Sequence, residues 1–404
     1  MQSQYGTAVE VDRRQESLRV AVLCHGDDTN ARDLIHTLVA TDGIEPVVVT
    51  DSEEPFPEVA QGNVYRTRLV RRSVRLLAEF TSYESHWSAD LLEEIDPDVV
   101  MSLGAAGLWD MTTVSGFGPT VFLPQGFETD RAVGGIWDGG LDWIRYRVYR
   151  FLFERFLDHV AEVWTQAHAW PVYESLGLSP EQFVDFDWGP VDTSQFAPDV
   201  EPVEYVDDPE TLVVGTFRRL RELEMLGPSY ETILDGVARL VDRGRDVHLV
   251  VGGYGFEEND VEAFIDDRIE TLGLEDRVTR VDIVPKSELA GYYAGLDVYV
   301  NPTYAGTRVG GIGTGSKEAM ACGCAFLTMN DPPMDYLIDH RENGLLVDHG
   351  DDEAFARELE RLCENPAELA SLSAAARETV VERFSRAAVG ERMKQRCEEL
   401  ESRA

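Results

Sequence analysis

Short apolar runs recur along this 404-residue chain at intervals that leave room for a helix between them, and this spacing restricts the fold more than any other feature. Leu18–Cys24 (LRVAVLC), Pro46–Thr50, Asp98–Leu103, Thr120–Leu123 and Val160–Trp164 read as buried strands. A polar loop from His25 to Asn30 and a helix-period segment reaching Ala40 follow the first of them. A second series holds Thr211–Phe217, Asp246–Gly252, Val278–Val284, Asp297–Asn301 and Ala325–Met329. Apolar strands alternating with helices predict a parallel sheet covered on both faces. Two such series predict two α/β domains, with a ligand held at the carboxyl ends of their strands.

The proline- and acid-rich stretch from Pro198 to Pro209 marks the boundary between the two series. It sets an N-terminal domain at 18–197, a linker at 198–210 and a C-terminal domain at 211–384, after a polar, disordered tail at 1–17. Helices are expected over Glu353–Leu362 and Pro366–Glu382. A final helix near Arg386–Glu401, within 385–404, is expected to pack back on the N-terminal domain.

Acidic residues outnumber basic ones 75 to 36, for a net charge of −39, and lysine occurs only as Lys286, Lys317 and Lys394. No basic stripe offsets that charge, which argues against a nucleic-acid partner. Acids spread over the whole chain read as a solvated surface suited to molar salt, where a Debye length of about 3 Å silences self-repulsion. The alternative is a surface that binds a basic partner. Five cysteines without disulfide-like spacing suit a reducing cytosol. Cys322-Gly-Cys324 reads as a helix end before a buried strand rather than as a metal or redox motif. Met1–Ser17 does not resemble a signal peptide and no apolar run reaches transmembrane length, which predicts a cytoplasmic protein, soluble or peripheral.

Asn301–Thr328 (NPTYAGTRVGGIGTGSKEAMACGCAFLT) reads as a loop, a glycine-rich turn, a short helix and a strand. Glycines permit close backbone approach to a ligand. A helix opened by Thr314 and closed by Gly323 presents free N–H groups to an anion. Glu318 is read as an acid in the first turn of that helix, placed to accept hydrogen bonds from sugar hydroxyls. The outline is a phosphate-plus-sugar pocket.

Two segments break the acidic pattern. Arg66, Arg68, Arg71, Arg72 and Arg75 cluster in the N-terminal half, and residues 142–157 read DWIRYRVYRFLFERFL. A basic, aromatic-rich helix can lie on an anionic membrane face; its other reading is an ordinary helix of the N-terminal domain.

Several ordered motifs resemble those of family 4 (group 1) retaining glycosyltransferases, and the overall charge resembles that of a haloarchaeal protein. Residues 189–196, GPVDTSQF, resemble "NGVDTxxF"; Gly310–Gly323, GGIGTGSKEAMACG, resembles "EGFGxxxxEAMACG". Asn343–Val347 with Asp351 and Glu353 resembles "NGLLVxPGDxEAL", and Glu382–Ser385 resembles "ERFSW". The resemblance implies a GT-B fold, with two doubly wound Rossmann-like domains facing across a cleft. It implies a nucleotide-diphosphate sugar donor, a glycan or lipid-linked acceptor, transfer with retention, and no cofactor or obligatory metal.

Carried over residue by residue, the donor site falls on Gly310, Gly311, Ile312, Gly313, Thr314 and Glu318, with a diphosphate clamp among Arg218, Arg219 and Arg221. The matching glutamate in that family binds the donor ribose. The family's first glutamate falls on Gly310, and its N-domain histidine falls on or near Gln125. Gln125 can hydrogen-bond a hydroxyl but is neither acid nor base. Glu128 is a substitute, and His25 is a candidate beside the acceptor. The function implied is glycosyl transfer in surface glycan or glycoprotein biosynthesis. The alternatives are a degenerate nucleotide-sugar-binding protein and a sugar-nucleotide epimerase of the same fold.

Overall fold

The computed structural model describes residues 17–24, 29–50, 56–66, 89–104, 117–124, 142–220, 223–255, 260–303, 313–331, 334 and 336–403. The strands are β1 (Leu18–Cys24), β2 (Ile44–Thr50), β3 (Val64–Arg66), β4 (Val99–Leu103), β5 (Thr120–Leu123), β6 (Glu162–Thr165) and β7 (Phe183–Asp185). They continue with β8 (Leu212–Phe217), β9 (Val247–Tyr254), β10 (Val278–Asp282), β11 (Val298–Asn301), β12 (Ala325–Met329) and β13 (Leu345–Val347). The helices are α1 (Thr29–Val39), α2 (Ala89–Ile95), α3 (Asp142–Leu157), α4 (Trp170–Ser175), α5 (Leu223–Asp242) and α6 (Asp260–Leu272). After these come α7 (Leu289–Ala294), α8 (Thr314–Ala321), α9 (Asp352–Glu364), α10 (Pro366–Phe384) and α11 (Arg386–Glu401).

One sheet has the order β3-β2-β1-β4-β5-β6-β7 and the other β10-β9-β8-β11-β12-β13. Each winds outward from its first strand, returns and winds the other way. This is the doubly wound order, with switch points at β1/β4 and β8/β11. The register of β8 against β9 pairs Leu212 with Val247 and Phe217 with Gly252, both strands parallel.

Period-two alternation divides the second sheet between two cores. Val214, Val298, Val300, Ala325 and Leu327 pack with α5 residues such as Tyr230, Ile233 and Val237. Val213, Tyr299 and Phe326 face the opposite core with Tyr293, Ala319 and Met320.

All ten expected strands lie where the apolar runs put them, three with the same ends and the rest with ends shifted by one or two residues. β2 begins at Ile44 rather than Pro46, because Pro46 pairs with Val20 of β1 while pairing with β3 begins only at Val48. A proline is tolerated where its strand has no second neighbour. The short strands β3, β7 and β13 were not among the predicted elements, and the long helix α5 was expected only as an unbounded crossover between β8 and β9.

The molecule forms two compact units. The first comprises Met1–Leu123, Phe151–Glu162 and Gly390–Ala404; the second comprises Pro124–Arg150 and Val163–Val389. Within the first, Arg396 of α11 pairs with Glu162, which is 2% exposed. Within the second, Val191 and Ser385 form an isolated parallel bridge.

Asp351 caps α9 by accepting a hydrogen bond from the Ala354 N–H at 2.8 Å. Asp351→Ala should cost about 1 kcal/mol, the usual worth of an N-cap, and lower the thermal midpoint. An unchanged midpoint would show that water replaces the cap.

Candidate functional site

The switch point of the second sheet lies at the carboxyl ends of β8 and β11, and hydrogen bonds join these ends. The Tyr299 hydroxyl donates to the Phe217 carbonyl at 3.0 Å. Arg218, the first residue after β8, donates through Nη1 to Asn301 Oδ1 at 3.3 Å. Asn301 ends β11, and its amide nitrogen donates to Thr328 Oγ1 at 3.2 Å. The Arg218 side chain is thus drawn toward the end of β11, where a doubly wound sheet places an anionic ligand.

Helix α8 starts at Thr314, with Gly313 as N-cap (φ −59°, ψ 141°) and no side-chain cap. Its end follows the sequence expectation: Cys322 is the C-cap and Gly323 takes φ +91°. The helix rests on an aromatic layer in which Tyr293 lies edge-on to both Phe217 and Tyr299. A Cβ at Gly315 would sit 3.1 Å from the Tyr293 hydroxyl, so glycine allows this close approach.

Six consecutive residues of α8, Ser316 to Ala321, are buried, including two charged ones. Glu318 is the fifth residue of the helix and the first turn contains no acid, which corrects the first-turn reading. The helix starts at Thr314, as read from the sequence, and counting from there puts Glu318 in the second turn, beyond the free N–H groups. Its charge partner is instead Lys286, whose Nζ lies 3.1 Å from Oε1 of a Glu318 side chain that is 6% exposed. Lys317 pairs with Asp187 at 3.0 Å.

Of the other donor-side candidates, Thr314 opens the helix and Arg218 is half-buried beside Asn301. Arg219 is exposed. Gly313 is also exposed, and a side chain added there would meet open space. His25, Gln125, Glu128, Arg221, Gly310, Gly311 and Ile312 lie outside the described residues. Lys286 and Asn301 were not among the candidates. The available signal for Lys286 was scarcity, since lysine occupies three positions in the whole chain.

Cys322 and Cys324 are buried free thiols, and the Cys324 thiol donates to the Tyr293 carbonyl at 3.1 Å. Burial pushes the Cys322 thiol up to about 12, so neither a thiolate nucleophile nor a metal ligand forms readily there. Among the described residues, no group of three or more His, Cys, Asp or Glu is placed to hold a metal ion. None of the described helices is long and apolar enough to cross a membrane.

A second polar cluster joins the ends of β11, β12 and β13. The Thr303 hydroxyl donates to Asp331, and His349 Nε2 lies 2.9 Å from Asp331 Oδ2. Burial opposes ionisation of Asp331, but the hydrogen bonds from His349 and Thr303 hold its carboxyl below the usual range.

The fold is GT-B. The structure resembles sucrose-phosphate synthase from Thermosynechococcus elongatus, with a TM-score of 0.69, 18% identity, and coverage of 96% of this chain and 100% of that one. It also resembles Anabaena Alr3699/HepE in complex with UDP-glucose, with a TM-score of 0.64, 16% identity, and coverage of 95% and 100%. Residues 203–379 match the sequence model of the family described as Glycosyl transferases group 1. In sequence the chain is 30% identical over 178 residues to the amylovoran biosynthesis glycosyltransferase AmsK of Erwinia amylovora, 44% of this chain and 42% of that protein. The match thus spans less than half the length of that relative.

Because the Asp331 carboxyl titrates below its unfolded value of 3.8, its stabilisation is present above that value and is lost as pH falls through the folded pKa. The difference in thermal midpoint between wild type and Asp331→Asn should therefore be larger at about pH 6 than at about pH 3. A difference constant with pH would contradict the assignment.

Proposed function

We propose that the protein is a glycosyltransferase that moves a sugar from a nucleotide-diphosphate donor to a glycan or lipid-linked acceptor, with retention at the anomeric carbon. The observation that carries this reading is the buried Glu318, held by Lys286 in the helix that follows switch-point strand β11, inside the segment matching Glycosyl transferases group 1. A buried carboxylate fixed by an ammonium is oriented to accept hydrogen bonds from a ribose diol, and charge-assisted hydrogen bonds are the strong ones. Negative charge builds on the departing diphosphate during transfer, and donors aimed there lower the barrier. Arg218 and the uncapped start of α8 supply such donors. HepE, which shares the fold, was solved with UDP-glucose, and this supports a nucleotide-sugar donor here. In this reading the cations on the diphosphate come from the chain, and no cofactor is required.

The acceptor side is assigned to Gln125, Glu128 and His25. Helix α3 exposes Trp143 and Phe151 to 62% and 56%, with exposed Arg147 and Arg155 at the same four-residue spacing. An aromatic–basic face of this kind suits peripheral contact with an anionic membrane on the cytoplasmic side, beside a lipid-linked acceptor. The charge of −39 suits a halophilic source. On that reading the thermal midpoint rises steeply between about 0.1 and 2 M KCl as screening sets in; a flat response rejects the halophilic assignment.

The test of the main reading is calorimetric titration of UDP, GDP, ADP and dTDP into the protein in molar KCl. One diphosphate should bind selectively, and Glu318→Ala should weaken it by about 1.5–3 kcal/mol. Unchanged affinity in that variant removes Glu318 from the site, and a product of inverted configuration contradicts retention. A second reading, a binding protein without turnover, is favoured by Gly310 standing where the resembling family has its first glutamate. Tight binding without transfer to any acceptor would select it, and conversion of the donor without an acceptor would select an epimerase.

A further inference from the structure

Lys317 is the most buried of the three lysines whose surroundings are described, with a side chain 1% exposed. An ammonium taken out of water is stable only when paired and hydrogen-bonded. Lys317 Nζ lies 3.0 Å from Asp187 Oδ1 and 2.8 Å from the Gly189 carbonyl oxygen, and it faces the Phe384 ring at 4.8 Å. Asp187 is occupied on both oxygens. Oδ1 also accepts from the Gly189 N–H at 3.1 Å, and Oδ2 accepts from Gln166 Nε2 at 2.9 Å. One nitrogen thus gathers the segment after β7, the last residue of α10, and α8. None of these groups enters the steps proposed for transfer.

The next residue along α8 is Glu318, paired on a different side with Lys286. Successive helix residues are about 100° apart around the axis, so the two ion pairs restrain the rotation of α8 from two directions. The helix has eight residues and no side-chain cap, so its own hydrogen bonds set its rotation weakly. We infer that Lys317 is a positioning residue for the nucleotide: through Asp187 it sets the rotation of α8 and thereby the aim of the Glu318 carboxylate. The inference rests on the reading of Glu318 as a donor-binding residue.

Removing one member of a buried pair leaves an uncompensated charge, whereas removing both charges is far milder. The informative variant is therefore Lys317→Met with Asp187→Asn, which keeps an acceptor for Gln166. UDP, GDP, ADP and dTDP are titrated in molar KCl into wild type, the double variant, Glu318→Ala and the triple combination, with the thermal midpoint of each. The double variant should fold and bind the preferred diphosphate at least about tenfold more weakly. In the Glu318→Ala background the same pair of changes should cost less than about twofold, because coupled residues are not additive.

Wild-type affinity in a folded double variant overturns the inference and leaves the donor site standing. A tenfold loss that persists in the Glu318→Ala background also overturns it, since Lys317 then acts by another route. Failure of wild type to bind any of the four removes the donor-site reading and this inference with it. If the double variant does not fold, Phe384→Leu, which withdraws the ring without uncovering a charge, is put through the same cycle. A loss of about threefold, absent in the Glu318→Ala background, supports the inference; no loss overturns it.

Discussion

Every strand of a parallel sheet has to be covered on both faces, because the crossovers that make the strands parallel place helices there. The rest of this structure follows from that constraint. In the second sheet it sends Val214, Val298 and Leu327 into one core and Val213, Tyr299 and Phe326 into the other. It also leaves the strand ends as the places where backbone and polar side chains remain available for chemistry. Arg218, Asn301, Thr303 and Asp331 all lie at or just beyond carboxyl ends of strands, while the sheet interior is apolar.

The acidic excess is handled differently on the surface and inside. On the surface, Arg239, Arg243 and Arg245 at the end of α5 meet Asp352, Glu353, Glu360 and Glu364 of α9. Such exposed pairs each contribute little because solvent screens them, yet together they let two acidic elements pack. Inside, the chain uses its few lysines. Lys286 pairs with Glu318, and Lys317, the preceding residue of the same short helix, pairs with Asp187; both carboxylates are nearly inaccessible to water.

A buried, charged helix of this kind is a demanding element to keep. Its start lacks a side-chain cap, its underside touches the hydroxyls of tyrosines, and its charged residues depend on partners distant in sequence. Lys317 and Asp187 are 130 residues apart. The same dependence makes the helix a precise platform, because its orientation is set by packing and ion pairs together.

The local rules of the chain determined much of this. Apolar runs marked the principal strands because burial on both faces needs them, and the glycines around α8 announced its boundaries because Gly323 needs a positive φ. The short strands β3, β7 and β13 carried too few residues for a pattern, and α5 was implied by the alternation of strands and helices but given no bounds. Glu318 could be named from its motif, and its place in the second turn follows by counting from Thr314. Its pairing with Lys286, and that of Lys317 with Asp187, were decided only by the tertiary structure. Charge pairing acts through space, and no periodicity records which acid a lysine will meet when the chain has folded.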